Sequence, residues 1–198
     1  MANWKVEEFA KSLRKKHSTS EPNCKQDNCP QFQTCKQVPS QGFLTGRPKA
    51  RIFFVTDNVT QDESDLRTPA CHIAGKIMHE VFIASFIELT ALSVPYYVTK
   101  TFRAYLEKAK PTVFEANLCF SHFLKELLFH QPEMLCAFGA SVFKNLYDHA
   151  INKEDLPPKQ EQNFQNLRGK TFTMIFEGGF TTKVFVAIAP GTVVAAPA

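Results

Sequence analysis

The chain has 198 residues, 44% of them hydrophobic and 21% charged, a length and balance that fit one packed domain and argue against global disorder. Its formal net charge of +4, with a pI of about 8.7, permits a nucleic-acid partner without demanding one. The longest apolar run, Val81 to Leu92, contains Glu88 and falls short of the roughly 20 residues of a membrane span, so no membrane is expected as a partner. The N-terminus lacks a signal-peptide apolar segment, and an intracellular protein (nuclear or cytoplasmic, not secreted) is expected.

Residues Asn3 to Lys16 read as an amphipathic helix that Asn3 can cap. Glu7 and Glu8 lie in its early turns, Arg14 to Lys16 lie at its end, and Trp4, Phe9 and Leu13 share one face. His17 to Lys49 reads as loop, rich in Ser, Asn, Pro and Gly and carrying three cysteines. So long a stretch without periodicity suggests that something else, such as a metal, organises it. Arg51 to Thr56 is an apolar run of the buried-strand kind, and a polar loop follows from Asp57 to Thr68. Pro69 is expected to open a helix to about Leu92, with Ile73, Ile77, Val81, Phe82 and Phe86 at helical spacing. Pro95 to Thr99 is a second strand. Thr112-x-x-Glu115 is a capping-box pattern that starts a helix to about His130. Met134 to Phe138 reads as a third strand and Ser141 to His149 as another helix. Thr171 to Phe176 and Lys183 to Ile188 form a hairpin around Gly178-Gly179.

Strands alternating with helices predict an α/β domain with a mainly parallel sheet. The whole chain, 1–198, is expected to be one domain, with residues 1–49 as an N-terminal helix and cysteine-bearing loop and 50–192 as the α/β core. Ligands of such folds sit at the carboxyl ends of strands, here Thr56 to Thr60, Thr99 to Arg103 and the stretch after Ile188. The sequence has no G-x-G-x-x-G and no Walker A loop, so no dinucleotide cofactor is expected.

Several segments resemble the uracil-DNA glycosylase superfamily, most closely its iron–sulfur branch. F-F-V-T-D-N-V-T-Q-D-E-S-D-L-R-T-P-A-C-H-I-A-G-K-I-M resembles that branch's F-V-G-E-A-P-G, acidic loop and G-R-P-F-V-G-x-A-G. P-Y-Y-V-T-K is similar to V-Y-I-T-N. The stretch from Pro111 to Leu146 is similar to P-T-x-x-E-x-x-x-C-x-x-x-L-x-x-E-L followed by P-x-x-I-x-x-L-G-x-x-A. L-R-G-K and A-I-A-P-G-T resemble the family's L-R-G-x and its closing x-x-H-P-S/A. The likeness runs in order over roughly Cys24 to Thr192. It implies a three-layer α/β/α fold around a four-stranded, mainly parallel sheet.

Such enzymes extrude a base, stack it on an aromatic ring, read its edge, activate a water and stabilise the departing base anion. The resemblance assigns these roles to positions that have changed here. Thr56-Asp57-Asn58-Val59-Thr60 stands in the water-activating motif without its glycines and proline, and leaves Asp57 and Asn58 as the candidate catalytic residues. Ala70 stands where the stacking phenylalanine is expected, Lys100 at the base-reading asparagine and Ala189, followed by Pro190, at the histidine. Thr56, Thr60, Ala70, Lys100, Ala189 and Pro190 therefore outline the expected base or phosphate pocket. Lys100 reads either as a solvated strand-end lysine or as a cation that fills the old pocket or holds a phosphate.

Cys119 matches the last cysteine of the family's cluster and Cys29-Pro30 resembles its second. The third falls near Ala104 and is absent. Cys24, Cys29, Cys35 and Cys119 are the four thiols that would have to converge on a [4Fe–4S] cluster or zinc. Cys71 and Cys136 read as buried apolar residues, and the six histidines show no ligand-pair pattern. The functional expectation is a catalytically impaired glycosylase-like protein, of the DNA-repair type, that binds DNA, RNA or a protein partner. The alternatives are an active monofunctional DNA N-glycosylase of altered specificity and a structural subunit of a larger assembly.

Overall fold

The computed structural model describes residues 5–16, 18–20, 40–43, 49–57, 59–80, 94–106, 111–158 and 161–195. The strands are β1 (Ser18–Ser20), β2 (Ser40–Phe43), β3 (Ile52–Thr56), β4 (Tyr96–Lys100), β5 (Met134–Phe138), β6 (Asn152–Glu154), β7 (Thr171–Ile175) and β8 (Thr181–Ala187). The helices are α1 (Val6–Lys16), α2 (Gln61–Leu66), α3 (residues 73–80), α4 (Val113–His130), α5 (Ala140–His149), α6 (Phe164–Leu167) and α7 (Pro190–Ala195). The protein is α/β.

Among the described residues the sheet has eight strands in the order β1-β2-β4-β3-β5-β8-β7-β6, not the expected four. The four middle strands, β4, β3, β5 and β8, run parallel. Both flanks are antiparallel: β2 against β4, and β7 against β8. The added strands are short and polar, Ser-Thr-Ser in β1 and Asn-Lys-Glu in β6. They take their conformation from the ladder beside them rather than from an apolar period of their own. β1 and β2 lie within the segment expected to be loop throughout. The backbone ladder thus supplies part of the order expected there of a metal.

Three consecutive buried residues in β3, Phe53 to Val55, show that both faces of the middle strands are covered. Phe53, Val55, Tyr97, Leu135 and Val184 pack with Phe120, Phe123 and Leu127 of α4 and with Val142 and Leu146 of α5. On the opposite face Phe54, Val98 and Cys136 meet Ala70, in the turn before α3, and Met78 of α3. α1 seats Ala10 and Leu13 against Cys71, as its amphipathic pattern requires; Trp4 and Asn3 lie outside the described residues. The hairpin turns through Gly178 and Gly179 at φ 77° and 76°, a left-handed conformation that costs glycine nothing.

Two boundaries differ from expectation. The segment Asp57 to Thr68 is not loop throughout but holds α2. The next helix begins at residue 73 rather than at Pro69, because Thr68 to Cys71 turns, with Ala70 at φ 53°; residues 81–92 of the expected helix lie outside the described part. α4 starts as expected. Thr112 Oγ1 accepts from the Glu115 N–H, the Glu115 carboxylate accepts from the Thr112 N–H at 2.8 Å, and the helix ends in a left-handed Gln131.

Candidate functional site

The carboxyl ends of the four parallel strands form one edge, and a chain of contacts crosses it. β3 and β4 end in register, Thr56 beside Lys100. Alternation along β4 sends Tyr97 toward α4 and Val98 toward the other face, so Lys100 shares the side of α2. Asp57, just past β3, accepts a hydrogen bond from the Ser141 hydroxyl in the first turn of α5. Gly139, between β5 and α5, lies at φ 101°, and a Cβ there would stand 3.2 Å from the Cβ of Ala189. Ala189 and Pro190 are half-buried where β8 gives way to α7.

Glu63 organises the centre of this edge. Thr60 caps α2, and the Glu63 carboxylate accepts from the Thr60 N–H at 2.8 Å and the Thr60 hydroxyl at 3.2 Å, which completes a capping box. Its other oxygen, Oε1, accepts from the Ala70 N–H at 2.5 Å and meets Lys100 Nζ at 3.0 Å. Lys100 Nζ also donates to Thr56 Oγ1 at 3.0 Å. Lys100 is 3% exposed and Glu63 0%. A lysine with a solvated head is therefore not what occupies this strand end. Lys100 fills the position, enclosed with a carboxylate that the sequence reading did not assign to the site.

Burial alone would raise the Glu63 pKa. Lys100, then His72 and the N–H groups of Thr60 and Ala70, outweigh it and hold the carboxyl below its ordinary value of 4.5. His72 is pushed down by its own burial, which Lys100 reinforces and Glu63 opposes, while its Nδ1 accepts from the Gly75 N–H at 3.2 Å. Cys71 is pushed up to about 12 by burial and by the nearby Glu63 and Asp62 carboxylates, so it is an inert core thiol. The left-handed Ala70 lies so close to α3 that a Cβ on Gly75 would fall 2.0 Å from the Ala70 carbonyl oxygen. A larger side chain at position 75 would push the Ala70 backbone off its hydrogen bond to Glu63.

A second ion pair, between buried Arg103 just past β4 and half-buried Glu126 of α4, lies on the other face. Thr99 donates to Glu126 at 3.0 Å, and Arg103 Nη2 bonds both Glu126 and, at 3.0 Å, Thr99. Asn145 of α5 reaches Thr101 at 3.3 Å. Ion pairs thus tie the end of β4 to α2 on one face and to α4 on the other.

Of the expected pocket residues, Thr56, Thr60, Ala70 and Lys100 come together around Glu63. Asp57 is engaged with α5, and Ala189 and Pro190 lie beyond Gly139. Asn58 lies outside the described residues. Ala70 and Ala189 offer no ring to stack on and no side-chain donor. Glu63 could have been found from its own Thr60-x-x-Glu63 capping pattern, although its pairing with Lys100 has no local signal.

Of the four expected thiol ligands, Cys24, Cys29 and Cys35 lie outside the described residues. Cys119 sits in an apolar cluster with Phe102 and Ala104. Among the described residues no three His, Cys, Asp or Glu side chains gather as metal ligands, so they supply one thiol and no site. Among them, too, no helix is long and apolar enough to cross a membrane. The chain matches no protein-family model and no curated protein.

Proposed function

We propose that this chain is a uracil-DNA glycosylase-like protein that has given up base excision and acts by binding DNA, RNA or a protein partner. The observation that carries the reading is the enclosed Glu63–Lys100 pair. Where the resemblance puts a base-reading amide and a stacking ring, the chain has a buried lysine and Ala70, joined through one carboxylate. A base entering there would have to displace a charge pair whose separation leaves an uncompensated buried ion, a cost of about 3–5 kcal/mol. It would then find no stacking platform, worth roughly 1–3 kcal/mol per base. Four parallel strands flanked by helices, and the apolar contact of Ala104 with Cys119 at two positions the resemblance gives to cluster ligands, agree with this alignment.

The active-enzyme alternative draws on Asp57 and Asn58. Asp57 Oδ2 already accepts from Ser141, a contact that ties the residue to α5. The alternative of a structural subunit draws on Val113 and Phe114, 79% and 56% exposed in the first turn of α4.

The test is base release from single- and double-stranded DNA carrying uracil, hypoxanthine or mismatched thymine. No release above the protein-free control is expected. Release that Asn58→Ala abolishes would overturn the reading in favour of an active enzyme. Binding of DNA or RNA at low salt supports a nucleic-acid partner, and its absence supports a protein partner or an assembly role.

A further inference from the structure

A cavity of about 680 Å³ opens at the amino ends of β3, β5 and β8, within the roughly 300–1,000 Å³ of small-molecule sites. Strand register builds its floor. Ile52 pairs with Met134, Met134 with Lys183 and Lys183 with Thr173, so these side chains form one row across β3, β5, β8 and β7. Their chain neighbours Phe53, Leu135, Val184 and Met174 are buried against α4 and α5, so the row lies on the other face of the sheet. Ile52, Met134 and Val94, all half-buried, make one part of the lining apolar. Thr181 and Lys183, both exposed, make the other part polar. Charge is unevenly placed as well. Arg51 and Glu133 close on each other, Nε and Nη2 of the guanidinium donating to the two carboxylate oxygens at 2.7 and 2.6 Å. Lys183 is the other cation of the lining, and among the described residues its ammonium has neither ion pair nor hydrogen bond. The lining thus carries one uncompensated positive charge, two strand spacings or roughly 10 Å from Ile52. Water can satisfy the ammonium but not the floor. An apolar body that ends in an anion satisfies both.

We propose that this cavity is a binding site for a small amphipathic carboxylate, an alkyl or aryl acid whose body lies over Ile52 and Met134 and whose carboxylate meets Lys183. The site is at the opposite end of the parallel strands from Thr56 and Lys100, so it goes beyond the reading of the carboxyl edge and does not depend on it.

Met134 supplies the reporter, because it lines the cavity whereas Met174 is buried on the other face of the sheet. The full-length wild-type protein, isotope-labelled at its methionine methyl groups, is titrated with hydrocinnamate and followed by NMR; Met134→Leu assigns the signal. Hydrocinnamate is expected to move the Met134 methyl signal saturably, in the low millimolar range of so small a probe, and to leave that of Met174 in place. Hydrocinnamamide, its neutral analogue, should bind the wild type about fivefold more weakly, and Lys183→Met, a change at an exposed position, should bind the two alike. A Met134 signal that stays in place at about 20 mM hydrocinnamate overturns the site. So does equal binding of acid and amide by the wild type, or a preference for the acid that survives Lys183→Met.

Discussion

Two helices of this protein begin with the same four-residue device. Thr60 and Glu63 open α2, Thr112 and Glu115 open α4, and in both the threonine and glutamate cap each other reciprocally. The Glu115 oxygen that accepts from the Thr112 N–H also accepts from its hydroxyl, both at 2.8 Å, and the 18-residue helix behind it is held by Phe120, Phe123 and Leu127 in the main core. Glu63 serves the box with one oxygen and Ala70 and Lys100 with the other, and the helix behind it has six residues. A capping box can thus be a helix start or the visible half of a buried charge site. At Glu63 the contacts of the second oxygen with Ala70 and Lys100 make it the latter.

The largest effect expected from breaking this contrast is at Glu63. Glu63→Ala strands Lys100 in the interior and should cost about 3–5 kcal/mol, against under about 1 kcal/mol for Glu115→Gln, measured by urea unfolding. Lys100→Met should cost about as much as Glu63→Ala. The double variant Glu63→Leu/Lys100→Met should recover only part of the loss, since an apolar pair removes both charge-desolvation penalties but leaves the Thr60 and Ala70 N–H groups without their acceptor; a double-mutant cycle reads the coupling.

Next in size is the acid dependence. The folded Glu63 pKa lies below its ordinary 4.5, so the pair contributes fully above that value and its contribution is lost as pH falls through the lowered folded one. Lys100, His72 and the Asp62 and Cys71 side chains are the titratable groups around it. Stability of the wild type should therefore fall more steeply below about pH 4.5 than that of Glu63→Gln, with the two curves converging in acid. Thr60→Ala and Thr112→Ala should each cost about 1 kcal/mol. The smallest effect is at the half-buried Asp57: Asp57→Asn should shift Tm by about 1 °C or less and leave base release at the control level.

These contrasts also mark what the sequence could and could not disclose. β3, β4, β5, the closing hairpin, α4 and α5 were legible because apolar period, capping box and glycine turn all act within a few residues. α2 carried the same Thr-x-x-Glu signal as α4. It was masked by the polar run Gln61 to Asp65, which lacks an apolar face, and by Pro69, which looked like a helix start. The burial of Lys100 had no local signal at all. A strand-end lysine is solvated unless a carboxylate meets it, and the one that does arrives from a different element. β1, β2 and β6 were invisible for a related reason, since their order comes from a neighbouring strand's free edge.

The central claim, that Lys100 and Glu63 close the strand-end pocket, is tested most directly by amine labelling of the native protein with mass-spectrometric readout. The account predicts that Lys144 and Lys183 on the surface are acetylated while Lys100 stays unmodified until the protein unfolds. Labelling of native Lys100 at the rate of those surface lysines would contradict it.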